Sequence, residues 1–406
     1  MKIAIMGGGI GGMTLALGLH ARGLGCDIYE AVPEVREIGV GITLLPHAMR
    51  ELAALGLQPQ LEAAGIENLE SVFFNRWGQY IYREPRGRHA GYELPEIGIA
   101  RGRLHGILYE AVRERIGDSC IHLDHRVAGL DQDGSCVTLR FEQAGRPDAR
   151  ADIAIACDGI NSSVRRQFYP QEQLAFGGIN TWRGVTVHAP ILTGKSYLRI
   201  GSIDTGKMVI YPIADNVDGQ GNQLVNWVAE IKREGQAMND WNRTGRSSDF
   251  LEIFKDWRYD WLDVPALIEG ASNIFEYPMV DRDPVPRWTF GRVTLLGDAA
   301  HPMYPRGSNG SAQAIIDARL LSDLLASASD GTAALQAYED KRLRVTARIV
   351  ETNRTVPPDF INIRVDALSG GRPFRHIDDL ISQEELRRMS DEYKRVAGFS
   401  LDALKA

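Results

Sequence analysis

The chain opens on a short apolar run at Ile3–Met6, falls into a helical period of apolar positions across residues 13–22, and shows a second apolar run at 26–30. With the glycines at 7–12 between them, these segments read as strand, tight turn, helix and strand, the opening of a doubly wound sheet. Helical spacing returns at 47–55 and at 103–115, where Leu104, Ile107, Leu108, Ala111 and Val112 share one face. Apolar runs at 137–141 and 152–157 predict strands that lead back into the same sheet. From about residue 177 to 275 the texture changes. Trp182, Tyr197, Tyr211, Trp227 and Trp257 are spread among β-like runs such as 207–213 and 224–231, which predicts a mostly antiparallel second lobe covering a ligand. The run 293–296 returns to the first lobe, and long helices follow at 311–327 and 332–353. Pro357-Pro358 and Gly370-Gly371 are breaks, and the charged stretch 377–397 reads as surface helices that pack on the body or meet a second subunit.

At 406 residues the chain exceeds what one ordinary core accommodates, so two lobes are expected. A hydrophobic share of 44% with 24% charged residues places it among globular proteins, and the absence of an apolar run of about 18 residues argues against a membrane span. The N-terminus carries no basic, cleavable leader, so a cytoplasmic protein is expected. Cys26, Cys120, Cys136 and Cys157 form no CxxC pair, which disfavours zinc, a redox dithiol or a disulfide scaffold. A net charge of -7 without a basic stripe excludes nucleic acid as an expected partner.

Three motifs carry chemistry. Gly7-Gly8-Gly9-Ile10-Gly11-Gly12 is a GxGxxG directly after a strand, with Glu30 at the end of the next strand, 18 residues beyond Gly12. Backbone without side chains can turn sharply and lie against a pyrophosphate at a helix N-terminus, and the carboxylate accepts from ribose hydroxyls; NAD and FAD proteins share this device. The second motif, residues 157–165, holds Asp158-Gly159, which in isolation reads as a turn. The third is Gly297-Asp298-Ala299-Ala300-His301-Pro302, running through Pro305, Gly307, Ser308, Asn309 and Gly310 into a helix. An acid at a strand tip suits a ribityl hydroxyl, and the helix aims its N-terminal amides at a flat ring, favouring an anionic reduced flavin. His301 reads first as a structural histidine.

These motifs in this order, with 140 residues between Asp158 and Asp298, resemble the group A flavoprotein monooxygenases, the para-hydroxybenzoate and salicylate hydroxylase type, over about residues 1–355. Residues 40–42, 84–87, 182–185, 225–228 and 277–284 are most similar to its phenazine-carboxylate monooxygenase branch. The resemblance implies an α/β fold: a doubly wound, glutathione-reductase-like FAD-binding domain (1–72, 98–176 and 276–355), an inserted, mostly antiparallel substrate domain (73–97 and 177–275) and a C-terminal helical extension (356–406) with no catalytic role assigned. It implies FAD as cofactor, NADH or NADPH and dioxygen as co-substrates, and hydroxylation of a small aromatic or N-heteroaromatic, carboxylate- or hydroxyl-bearing ring through a flavin hydroperoxide, in a monomer or homodimer. Gly7, Gly9, Ile10, Gly11 and Gly12 would wrap the pyrophosphate and Glu30 the adenosine ribose. Arg36 and Arg101 would meet ribose or phosphates, Asp158 would support cofactor and nicotinamide, and Asp298 would hold the ribityl chain. Pro305, Gly307, Ser308, Asn309 and Gly310 would line the flavin ring.

Tyr211 is the first candidate to touch substrate, then Trp182, Arg183 and Tyr82, each open to the alternative of plain core packing. Arg306 reads equally as a substrate-carboxylate anchor or a surface ion pair. The rival enzyme is an FAD-dependent reductase without oxygen transfer. A tryptophan-type halogenase lacks its WxWxIP here, a glutathione-reductase type lacks its CxxxxC pair, and the intact motifs disfavour a flavin-binding regulator without turnover.

Overall fold

The computed structural model describes residues 1–34, 40–233 and 244–405. Its first sheet has six strands in the order Thr289–Phe290, Val293–Leu295, Ile153–Ala156, Ile3–Met6, Cys26–Tyr29, Ile121–His122. All neighbours are parallel except Thr289–Phe290 with Val293–Leu295. Helices Ile10–His20, Arg101–Arg115 and Gly310–Ser327 share one core with this sheet, through residues such as Leu15, Leu108, Ile155, Ile315 and Leu321. The run 137–141 does not enter it, contrary to the expectation. Val137–Phe141 alternates buried and more exposed positions and lies in a separate antiparallel sheet with Val127–Gln132 and Ala149–Ala151, whereas Ile153–Ala156 is buried throughout, as a central parallel strand must be.

The second sheet has seven strands, ordered Ile274–Asp281, Ala175–His188, Gln223–Lys232, Gly206–Ala214, Ser196–Ser202, Glu70–Phe74, Tyr80–Pro85, and only Ser196–Ser202 with Glu70–Phe74 is parallel. Its pleat sorts the side chains. Trp182, Leu198, Ile200, Met208, Ile210, Trp227 and Ala229 face a packed apolar layer, and the alternate positions Arg183, Tyr197, Arg199, Lys207, Val209, Tyr211, Val228 and Glu230 face a cavity. Past Thr355 the chain packs back on this body: helix Phe360–Ser369 buries Ile361 and Val365, and helix Gln383–Val396 buries Leu386 and Tyr393. No helix among the described residues is long and apolar enough to cross a membrane.

Candidate active site

The two sheets meet at a cavity of about 460 Å³, a volume suited to a small-molecule ligand. One wall is loop backbone from Gly9–Gly11, Cys157, Gly159, Gly297 and residues 305–310; the other is the pleated face just described. The glycines of the first loop divide their tasks. A Cβ on Gly7 (φ 103°) would lie 2.4 Å from the Cys157 carbonyl oxygen, and one on Gly12 would lie 2.0 Å from that of Gly7, so both shape the turn. Among the described residues Gly9 has nothing within 4 Å of its Cβ position, and it lines the cavity, which leaves the space a pyrophosphate needs. Helices Ile10–His20 and Gly310–Ser327 both start here without a side-chain cap, so their first amides stay open to an anion.

Glu30 sits behind this loop, accepting from the backbone N–H of Gly8 (2.6 Å) and of Val32 (2.9 Å). Arg36 lies outside the described residues. Asp158 also stands behind the wall: its Oδ2 accepts from the Ser163 N–H at 2.9 Å, and its Oδ1 is buried without a hydrogen-bond partner among the described residues. Asp298 is open to the cavity, with no hydrogen-bond partner among the described residues; partial desolvation by the surrounding protein pushes its carboxyl pKa up, against the opposing pull of His301 and Arg101. Arg101, at the start of helix Arg101–Arg115, reaches the same space. An open glycine cradle, two uncapped helix ends and an unpartnered carboxylate fit FAD. His105, whose Nε2 lies 2.5 Å from the Gly8 carbonyl oxygen, steadies the loop and was not foreseen, because nothing in its local sequence ties it to a turn 97 residues away.

On the sheet wall the strand register places Arg183 opposite Val228, Val228 opposite Val209, and Val209 opposite Arg199, a row with an arginine at each end and valines between. Neither arginine has a carboxylate partner among the described residues. Arg199 is buried, donates to Ser71 Oγ and lies 4.5 Å from the centre of the Tyr197 ring and 5.0 Å from that of Phe73. Arg183 lies 5.6 Å from the Tyr277 ring centre, its Nε buried without a partner. Tyr211 stacks on Tyr197 with ring centres 4.9 Å apart, and burial raises its hydroxyl pKa, keeping it protonated.

Two sequence candidates are corrected. Trp182, one residue from Arg183, falls on the opposite face and stacks on Phe250 at 4.9 Å in the core. Tyr82 packs against Phe73 beneath the C-terminal helices, away from the cavity. Arg306 is no surface ion pair: it is buried on Asp359 at 2.7 Å. His301 is structural, its Nε2 2.5 Å from Asp317 Oδ2 beside the Trp288 ring. Burial pushes the Asp317 carboxyl up, but Arg342 and His301 outweigh it and hold it at about 2.

Behind the 305–310 loop, His47 Nε2 lies 3.2 Å from Asn309 Oδ1, and burial drops its pKa from 6.5 to about 3. A depressed folded-state value means that stability is complete above pH 6.5 and falls as acid protonates only the unfolded chain. The loss approaches about 1.4 kcal/mol per pH unit, on the order of 2 kcal/mol by about pH 5. His47→Gln should therefore flatten the acid limb, which urea unfolding of both proteins at about pH 7 and pH 5 would show. An unchanged pH dependence would place the titration elsewhere.

Comparison with known proteins agrees with this geometry. A family model described as FAD binding domain matches residues 1–353. The phenazine 1,6-dicarboxylic acid hydroxylase PhzS of Lysobacter antibioticus is 39% identical over 361 residues, covering 87% of this chain and 89% of that protein. The 3-amino-4-hydroxybenzoate 2-monooxygenase PtmB3 of Streptomyces platensis is 32% identical over 363 residues, covering 87% and 86%. Klebsiella pneumoniae HpxO, solved with FAD and uric acid, superposes with a TM-score of 0.80 over 100% of this chain and 97% of its own at 22% identity, a likeness of fold. With its glycine cradle, its open Asp298 and these relatives, the chain belongs to the FAD binding domain family and is an FAD-dependent aromatic monooxygenase.

Proposed function

We propose that the substrate is a planar aromatic or N-heteroaromatic acid, laid over the valines of the sheet wall with its carboxylate on Arg199 and a second polar group toward Arg183. The row Arg183, Val228, Val209, Arg199 carries this reading. A buried guanidinium without a counter-ion is costly, and an anionic ligand supplies what the protein withholds. By name, the Lysobacter and Streptomyces relatives act on carboxylate-bearing rings, which supports the same class here. The unpaired arginines also disfavour the reductase alternative with its apolar substrate.

FAD, when bound, takes electrons from NADH or NADPH and delivers one atom of dioxygen to the ring. The chain's own part is holding and shielding. Gly9, Ile10 and Gly11 receive the pyrophosphate, with Gly7 and Gly12 fixing the turn and Glu30 its backbone amides, and Asp158 and Asp298 serve the nicotinamide side and the ribityl chain. Pro305 and the backbone of Gly307, Ser308, Asn309 and Gly310 cover the ring, and the N-terminus of helix Gly310–Ser327 favours negative charge there. Tyr211, protonated and facing the substrate, offers a hydrogen bond to a ring substituent, and the cavity walls limit the access of bulk water. Segments 1–72, 98–176 and 276–355 supply most of the proposed cofactor half and 73–97 with 177–275 most of the substrate half, with the boundaries shifted so that strands Glu70–Phe74, Ala175–His188 and Ile274–Asp281 lie whole in the seven-stranded sheet.

The purified protein's visible spectrum, then NADH and NADPH oxidation with dioxygen uptake over hydroxybenzoates, hydroxypyridine carboxylates and phenazine carboxylates, tests the proposal. A carboxylate substrate that speeds oxidation and gains one oxygen supports it. Stimulation only by uncharged rings would overturn the carboxylate reading.

A further inference from the structure

Resting on the cofactor placement above, we infer that the segment after Pro357 is a strap, and that Asp359 and Tyr393 are positioning residues that hold the flavin-facing loop 305–310 in its working shape. Pro358 and Asp359 complete the cavity wall. Asp359 receives Arg306 Nη2 at 2.7 Å and Lys207 Nζ at 3.1 Å, and Lys207 also meets Glu230 at 2.9 Å. All four are buried. Two cations and two anions thus form a neutral chain from the sheet, through the strap, to the loop. Removing one charge from such a set leaves another unpaired in a low-dielectric interior.

The second fastening is Tyr393. Its hydroxyl accepts from Asn309 Nδ2 at 3.3 Å and shares its proton between Asn353 Oδ1 at 3.0 Å and the Arg306 carbonyl oxygen at 3.4 Å. A Cβ on Gly307 would lie 1.9 Å from that hydroxyl oxygen, so the loop is seated against the strap with no room for a side chain. Gly307 (φ 82°) and Ser308 (φ 57°) are both left-handed, a conformation that costs free energy at serine and persists only where its surroundings impose it. Tyr393 and the Pro358-Asp359 segment are those surroundings, with Tyr393 Oη and Pro358 Cγ both against the Gly307 Cβ position. Asn309 next passes the constraint to helix Gly310–Ser327, whose Gln313 donates to it at 3.1 Å.

The test uses the full-length holoprotein with Tyr393→Phe and Asp359→Asn, and Asp359→Glu as the conservative rescue. Three quantities are read: FAD Kd by fluorescence, hydrogen exchange of a peptide spanning 303–312, and product formed per NAD(P)H consumed. Both variants should loosen FAD by about tenfold, the weight of one or two lost hydrogen bonds. They should speed exchange at 303–312 while a peptide containing Ile3–Met6 keeps its protection, and release more of the reducing equivalents as hydrogen peroxide. Asp359→Glu should recover part of each. If Tyr393→Phe, which removes one oxygen atom and folds like the parent, leaves FAD Kd and loop exchange within twofold, the inference fails. It also fails if protection is lost evenly along the chain, since that is general destabilisation. A wild-type protein that forms no hydroxylated product would sink the proposed substrate class while leaving the FAD and exchange readings to decide the strap.

Discussion

Gly9→Ala should give a folded protein with wild-type thermal stability that binds FAD on the order of 100-fold more weakly, about 2.7 kcal/mol. The added methyl has nothing within 4 Å among the described residues and a backbone at φ -75° that alanine adopts freely, so the apo fold has no reason to object. It points instead into the cavity, where phosphate oxygens must approach the main chain. Gly12→Ala makes the opposite prediction. Its Cβ would lie 2.0 Å from the Gly7 carbonyl oxygen, a backbone atom that cannot swing aside, so the turn between the first strand and helix must deform and stability itself should fall. Fluorescence titration with FAD beside thermal melting of both apo proteins separates the cases. Equal FAD affinity in Gly9→Ala and wild type would mean that the pyrophosphate does not lie on this loop.

Arg199→Met should cost about 100-fold in affinity for a ring carboxylate and almost nothing in folding stability. Truncating one partner of a buried charge pair typically costs 2–5 kcal/mol of binding, roughly 30-fold to a few thousandfold. The apo protein, by contrast, keeps this guanidinium without a carboxylate among the described residues, compensated there by Ser71 and the faces of Tyr197 and Phe73, so an apolar side chain of similar length removes a desolvation penalty along with those contacts. The unfolding midpoint should stay level or rise. Arg183→Met should act in the same direction but less, because Arg183 is only partly buried. Binding of phenazine-1-carboxylate and of unsubstituted phenazine, each followed through the bound flavin's spectrum, supplies the control. The variant should weaken the acid and spare the neutral ring, and equal losses for both would dismiss Arg199 as the carboxylate anchor.

The cofactor half was legible because its residues answer to backbone geometry. A GxGxxG between strand and helix, and a Gly-Asp followed by an uncapped helix, carry the same meaning wherever the chain places them. The substrate wall was only partly legible. Trp182 and Arg183 are neighbours in sequence and equally suited to a ligand, and only the pleat assigns one to the core and the other to the cavity. Tyr82 misleads for the same reason, since an aromatic side chain is at home on either face. The strap was invisible to local pattern. Tyr393 meets Asn309 across 84 residues, and Asp359, just before a helix, meets Lys207 on a distant strand of the seven-stranded sheet, so neither partner lies within any window where periodicity operates. In the sequence Arg306 reads equally as a substrate anchor or a surface ion pair, and only its buried partner Asp359 excludes the surface.

The division of labour along the seven-stranded sheet bears on how such a protein changes over generations. Lys207, Val209 and Tyr211 on one strand, and Tyr197 and Arg199 on the next, reach the ligand space, while the intervening Met208, Ile210, Leu198 and Ile200 carry the packing. Substitutions at Tyr197, Arg199, Val209 and Tyr211 can resize or recharge the chamber without opening a void in the hydrophobic layer beneath, whereas Lys207 is tied into the buried ion chain with Asp359 and Glu230. A lineage can therefore drift from one aromatic acid to another by single replacements, each compatible with an intact fold, and a library confined to those positions should contain mostly folded members.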